Sequence, residues 1–220
     1  MQLEKKSIYI LITYIIVYLL PSFLNSFFKL STTMIFNVQI IDYVLGAIIL
    51  SFLAFHNMPH NLPEQHQRSV WQTILWGLLG FIVVIFLQSV ILRLIAQMGG
   101  QTASQNTSSL LAIIKRYPLY TLAIVVGAPV MEEIVFRKVL FGNLATALHF
   151  MNPKVSQVVT ALIASGLFAF AHADGHLILY GAIGLWFCWL YQHTGRIQTS
   201  MIAHILMNTL VVLPILMTTV

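Results

Sequence analysis

Between Arg68 and Arg93 the chain carries no charged residue, and the apolar run that starts at Val70 continues to about Met98. Those 29 residues, wound as a helix at about 1.5 Å each, exceed a bilayer core of about 30 Å, so the run predicts a transmembrane helix that tilts or protrudes. Arg93 falls in its last turns, where its stem can snorkel to the interface. The rest of the chain has the same character: with 59% hydrophobic and 8% charged residues over 220 positions, there is too little polar material to cover a water-soluble globule. In lipid every backbone polar group must be satisfied internally, and runs of this length do so as helices. The expected fold class is therefore all-α, a polytopic membrane helix bundle of about seven to eight transmembrane helices.

The segments follow from the same reasoning. A first helix is expected from about Ser7 to Phe28, retained rather than cleaved because no small-x-small site follows it, with Pro21 kinking it or ending its regular part. A second, about Ile35 to Phe55, carries Asp42 near one end, within reach of headgroups. Asn57 to Ser69, with His60, His66 and Glu64, reads as a solvated loop, and its histidines lack metal-ligand spacing. The charge-free linker Gly99–Ser109 divides an N-terminal unit, 1–109, from a C-terminal one, 110–220. In the second unit, Leu110–Arg116 is a short lead-in and Tyr117-Pro118 opens the fourth span. Gly142-Asn143 closes it, and 143–152 lies at the interface. Further spans are expected at Val155–His172, His176–Tyr191 and Thr199–Met217, with a tight turn at Ala173-Asp174-Gly175. Gly181 and Gly184 should allow close helix approach. The net charge of +5 comes from Lys and Arg scattered at the ends of apolar runs, which marks topology and excludes a nucleic-acid surface. An N-terminus in the cytoplasm puts Lys5, Lys6, Arg68, Lys154 and Arg196 inside against Lys29, Lys115 and Arg116 outside, a balance that determines orientation only weakly. Cys188, the single cysteine, sits in an apolar run and reads as packing.

Against this background Glu132 and Glu133 stand out, two of only six acidic residues placed side by side in an apolar span. Charge at membrane depth costs at least a few kcal/mol per group, so the pair marks a functional site. Gly127-Ala128-Pro129 just before it should break the span, putting both glutamates in the first turn of a new half-helix, where free N–H groups favour negative charge. Glu133 and Arg137 are one turn apart and can pair, whereas Glu132 points about 100° away. Phe168 and His172 share a face of the fifth span, and His204 and Asn208 share a face of the seventh. A carboxylate that takes a proton from water, an imidazole that holds that water, and a second imidazole with a carboxamide that stabilises an oxyanion suffice to hydrolyse an amide.

The three spacings E-E-x-x-x-R, F-x-x-x-H and H-x-x-x-N, in this order, resemble the motifs of the Abi family of CAAX-protease and bacteriocin-processing membrane endopeptidases, which includes the type II prenyl-protein endopeptidases. The resemblance covers roughly Tyr117 to Leu213 and shows no departure at the motif positions. It implies an intramembrane polar cavity in a multi-pass membrane protein, and cleavage of a membrane-associated peptide or protein, lipidated or not. By position it makes Glu132 the general base, His172 its water-holding partner, His204 and Asn208 the oxyanion site, and Glu133 with Arg137 the structural pair. It implies no cofactor.

Three other readings use the same residues. Glu132, His172 and His204 could make a three-ligand zinc site, although no H-E-x-x-H is present. A non-enzymatic immunity or regulatory partner could bind a peptide without cleaving it. A proton-coupled transporter would also hold ionisable groups at membrane depth, but no internal repeat is visible.

Overall fold

The structure, a computed structural model, describes residues 5–56, 58–172 and 174–218. Eight helices account for most of them: α1 (Lys5–Phe28), α2 (Thr32–Phe55), α3 (Val70–Gln97), α4 (Gln105–Arg116), α5 (Pro118–Ala147), α6 (Pro153–His172), α7 (Leu177–Thr194) and α8 (Ile197–Thr218). Among the described residues there is no strand. Six of the helices, α1, α2, α3, α5, α6 and α8, are long and apolar enough to cross a membrane. The pattern of burial is the reverse of a soluble protein's. Helix α3 has the highest hydropathy, 2.6, and the lowest burial of its apolar window, 11%, whereas α5 has 56% of its window inside. Side chains such as Trp71, Ile82 and Phe86 face outward, which is stable only against lipid. The chain is a multi-pass integral membrane protein, and α5 is its central post.

Helix α5 departs from expectation in a way that shapes the site. Gly127-Ala128-Pro129 does not break it: Gly127 and Ala128 keep right-handed helical angles, and the chain runs helically from Pro118 to Ala147. A proline inside a regular α-helix clashes with the carbonyl four residues back. Here residues Ala123–Gly127 widen into a π-turn, with the Ala128 N–H reaching back five residues to the Ala123 carbonyl. That extra residue gives the Pro129 ring room. The glutamates therefore lie mid-helix, not at an N-terminus with free N–H groups, and side chains must supply what the dipole was expected to supply. A second π segment, Ile134–Phe141, follows them, and Gly142 continues the helix instead of capping it. The expected interfacial piece at 143–152 is partly the last turn of α5.

Other expectations change for similar reasons. Helix α1 passes through Pro21 to Phe28 without ending there. Asp42 sits near the middle of α2, because that helix begins at Thr32, and it is buried with one carboxylate oxygen lacking a hydrogen-bond partner among the described residues. The 57–69 segment begins at Asn57, outside the described residues; Pro59, His60 and Gln65 to Ser69 are exposed as expected, but the middle of the segment is not solvated. Asn61, Pro63 and Glu64 are buried, and the Glu64 carboxylate takes both its oxygens to Lys138 Nζ at 2.6 Å. Asn61 donates to the Lys138 carbonyl at 3.0 Å and accepts from the Tyr191 hydroxyl at 2.9 Å. Gly142 is what lets Asn61 approach: a Cβ there would come within 2.0 Å of the Asn61 amide nitrogen. His60 and His66 stay exposed. Of the two glycines expected to allow close packing, Gly184 does, since a Cβ at that position would fall 2.9 Å from the Ser165 Cβ on α6, while Gly181 faces open space. At one end of the bundle Trp189 stacks on His193 and Trp76 meets both rings edge-on, and the Trp186 indole donates to the Gly80 carbonyl.

Candidate active site

A cavity of about 990 Å³ penetrates the bundle beside α5, at the upper end of the range for ligand pockets. Glu132, His172, His204 and Asn208 all line it. Its other walls come from the front of the chain, with Tyr14 of α1, Tyr43 of α2 and Gln88 of α3, and α4 flanks it through Leu110 and Leu111.

The two glutamates have different surroundings. Glu133 is fully buried, with one carboxylate oxygen 3.2 Å from Arg137 Nε and the other 3.0 Å from His204 Nδ1. Glu132 keeps 20% of its side chain exposed to the cavity. The Glu133–Arg137 distance is that of an ion pair, yet the Nε–H is not aimed at the oxygen, and none of the three guanidinium nitrogens has an aligned acceptor among the described residues. The distance decides the Coulombic attraction, so we regard the pair as formed, and the guanidinium finds its remaining partners in π-faces. Its carbon lies 4.4 Å from the Phe168 ring centroid and 5.3 Å from that of Phe187. A desolvated cation–π contact is worth about 2 kcal/mol. The phenylalanine of F-x-x-x-H thus holds the arginine of E-E-x-x-x-R.

His204 stands between the carboxylates. A carboxylate only accepts, so Nδ1 donates to Glu133, and Nε2 faces Glu132 at 3.8 Å. His172 is oriented differently. Its Nδ1 lies 2.9 Å from the Phe168 carbonyl; a carbonyl also only accepts, so Nδ1 carries the proton and Nε2 of the neutral ring keeps its lone pair. His172 and Glu132 face the same cavity without an ion pair or hydrogen bond between them.

Asn208 donates one amide hydrogen to the Ile124 carbonyl at 3.1 Å. The reason lies in α5. In the five-residue register of the π-turn, the donor for the Ile124 carbonyl would be residue 129, and Pro129 has no N–H. Asn208 supplies the missing donor, which leaves its second amide hydrogen free for other use.

All six residues singled out from sequence thus gather at or beside one cavity, with Glu133 and Arg137 behind its wall. Glu132, His172 and His204 do not converge as ligands, and no cluster among the described residues has the arrangement to hold a metal ion. Sequence reasoning missed Tyr14 and Tyr43, which carry no spacing signal in their apolar helices. It also missed the Lys138–Glu64 pair. Lys138 beside Arg137 in an apolar span was a usable signal, since a buried ammonium requires a partner and few acids were available.

Comparison with known proteins bears on the family of the chain. Residues 114–210 match the family described as Type II CAAX prenyl endopeptidase Rce1-like. The chain is 33% identical over 172 residues to the "Putative membrane peptidase YdiL" of Bacillus subtilis (strain 168), covering 77% of this chain and 68% of that one. It is 34% identical over 186 residues to the "Membrane-embedded CAAX protease MroQ" of Staphylococcus aureus (strain USA300), covering 83% and 74%. Alignments of that length reach past the 110–220 unit into the front helices, which supply part of the cavity wall. No solved structure matches. The chain belongs to the CAAX-protease family of membrane-embedded peptidases and is a hydrolase acting on peptide bonds.

Proposed function

We propose that the chain is an intramembrane endopeptidase that cleaves a membrane-associated, apolar or lipidated peptide by water activated at Glu132. The observation that carries this reading is the division of the glutamate pair: Glu133 is sealed against Arg137 and His204, while Glu132 alone opens on the cavity. In this mechanism water lies between Glu132 and His172, giving its proton to Glu132 while the His172 Nε2 lone pair accepts from it. The oxygen attacks the peptide carbonyl. The oxyanion receives the second Asn208 amide hydrogen and a proton donor at His204 Nε2. Because Nδ1 already donates to Glu133, His204 donates from Nε2 only as the imidazolium. Glu132 then returns its proton to the departing amine, and the C–N bond breaks. The substrate is a peptide held at the membrane, such as a prenylated C-terminus, a bacteriocin leader or a signal peptide.

The test compares membrane peptidomes of cells carrying the wild type and Glu132→Ala. The expected result is one or a few peptides whose cleaved form disappears in the variant. Identical peptidomes, with the variant present at wild-type level and melting at the same temperature, would refute the assignment.

A further inference from the structure

The segment joining α6 to α7 holds a carboxylate that the mechanism above does not use. Asp174 follows His172 by two positions and lies between helices, outside the membrane spans. Its Oδ2 accepts from the Ser104 hydroxyl at 2.5 Å and the Tyr180 hydroxyl at 3.0 Å, and its Oδ1 accepts from the His176 N–H at 3.2 Å. Partial burial pushes this carboxyl up, but these hydrogen bonds outweigh it and hold the group below the usual carboxylate range.

Each donor leads elsewhere. Ser104 is the N-cap of α4, its hydroxyl also accepting from the Thr107 N–H at 2.9 Å. The Tyr180 ring stacks on the His172 imidazole, with centroids 3.9 Å apart and planes 25° from parallel. His172 also meets the Phe168 ring edge-on, with centroids 4.4 Å apart. The hydrogen bond to the Phe168 carbonyl fixes which nitrogen of His172 carries the proton, but one such bond leaves the ring free to swing about it. The stack with Tyr180 removes that freedom, and Asp174, with Ser104 and Thr107 of α4, removes the freedom of Tyr180.

We propose that Tyr180 and Asp174 are positioning residues of the peptidase, holding the His172 ring plane so that its Nε2 lone pair faces the reacting water. This rests on His172 taking part in cleavage, as proposed above. Neither residue touches the scissile bond. The same carboxylate ties the start of α4, which flanks the cavity, to the element that orients His172. A reacting group displaced by about 1 Å can lose about 100-fold in rate, which sets the scale of the effect.

The experiment uses the full chain in phosphatidylethanolamine–phosphatidylglycerol nanodiscs. Its probe is the internally quenched, acylated decapeptide that the wild type cleaves best from a randomised pool. Tyr180→Leu, which removes the stack, should lower kcat by about 10–100-fold with KM within about twofold. Tyr180→Phe and Asp174→Ala, which keep the ring but loosen it, should each lower kcat by about 3–10-fold, and the double variant should be no worse than Tyr180→Phe alone, because that variant already cuts the link to Asp174. A readout independent of substrate is the imidazole ¹⁵N spectrum of His172. The wild type should show the Nδ1–H tautomer alone, and Tyr180→Leu should add a second tautomer or exchange broadening. A rise in KM with kcat unchanged, or an unaltered ¹⁵N spectrum with kcat within twofold, would overturn the proposal. His172→Gln separates the two levels. If it inactivates while the Tyr180 and Asp174 variants do not, the positioning role alone fails; if it is fully active, the role of His172 fails and the positioning role with it.

Discussion

Glu64→Gln provides a sharp test of how the bundle is closed at the end away from α4. The Glu64 and Lys138 side chains are 5% and 3% exposed, and both carboxylate oxygens lie 2.6 Å from Nζ. At that separation, with an effective dielectric of about 20, the attraction is about 6 kcal/mol, much of it offset by desolvation. Removing one partner of such a pair costs about 3–5 kcal/mol because the other charge is left buried and alone. Glutamine keeps an acceptor for Lys138, so the lower end applies, about 3 kcal/mol. For a chain of this size that corresponds to a fall in Tm of about 6–12 °C. Removing both charges, as in Glu64→Leu with Lys138→Met, should return Tm to within about 4 °C of wild type, since an apolar pair of similar volume costs little. The assay is thermal unfolding of the purified protein in detergent, followed by tryptophan fluorescence. A fall of under 1 °C for Glu64→Gln would refute the buried pair and restore the solvated-loop reading; a double variant as unstable as the single would show that packing, not charge, holds the segment.

Three more outcomes follow from the site. Pro129→Ala restores an N–H that competes with Asn208 for the Ile124 carbonyl, so Tm should rise, by up to the equivalent of about 3 kcal/mol, while kcat falls by about 3–10-fold; unchanged kcat would disconnect Pro129 from Asn208. Glu132→Gln should lose about 10²–10⁴-fold in kcat with Tm nearly unchanged, whereas Glu133→Gln should also lose about 3–5 kcal/mol of stability, because Arg137 is then buried without a counter-charge. The Asp174 carboxyl is held low in the folded protein, so its contribution is present at neutral pH and is lost as pH falls below about 4. Thermal melts across that range should show a steeper acid decline in the wild type than in Asp174→Asn.

Much of this was legible in the sequence, and the parts that were not share a cause. Apolar runs located the helices because lipid admits little else, and the motif spacings of four picked out residues that gather at one cavity because i and i+4 share a helix face. What the sequence did not reveal was backbone register. Gly127-Ala128-Pro129 reads as a break by local propensity, and tertiary packing resolved it as a π-turn, which moved the glutamates away from any helix terminus. The 57–69 segment reads as solvated from its prolines and polar residues, and only the fold shows that Lys138 requires Glu64 inside. Tyr180 was invisible for another reason: a stacking partner carries no spacing of its own. Asp174, two residues after His172, was visible as a group that could orient it, but an Asp-Gly turn accounts for Asp174 locally.

The spacing of four in each motif also explains why anchors and reacting groups cannot be varied independently. In each motif at least one residue faces the cavity and at least one bonds a different helix, and in H-x-x-x-N both residues do both: Phe168 of α6 lies over Arg137 of α5, His204 of α8 donates to Glu133 of α5, and Asn208 of α8 donates to Ile124 of α5. The three motifs are therefore one interlocked contact set, and the positions of α6 and α8 against α5 are set by side chains in or beside the cavity wall. Phe168→Leu removes the cation–π contact and one wall of the His172 ring together. It should cost about 2 kcal/mol in stability and also depress kcat, although Phe168 transfers no proton. Glu132→Gln depresses kcat alone. A Phe168→Leu protein that melted with the wild type yet lost activity would mean that Phe168 acts on the substrate, and the interlocking would have to be abandoned at that point.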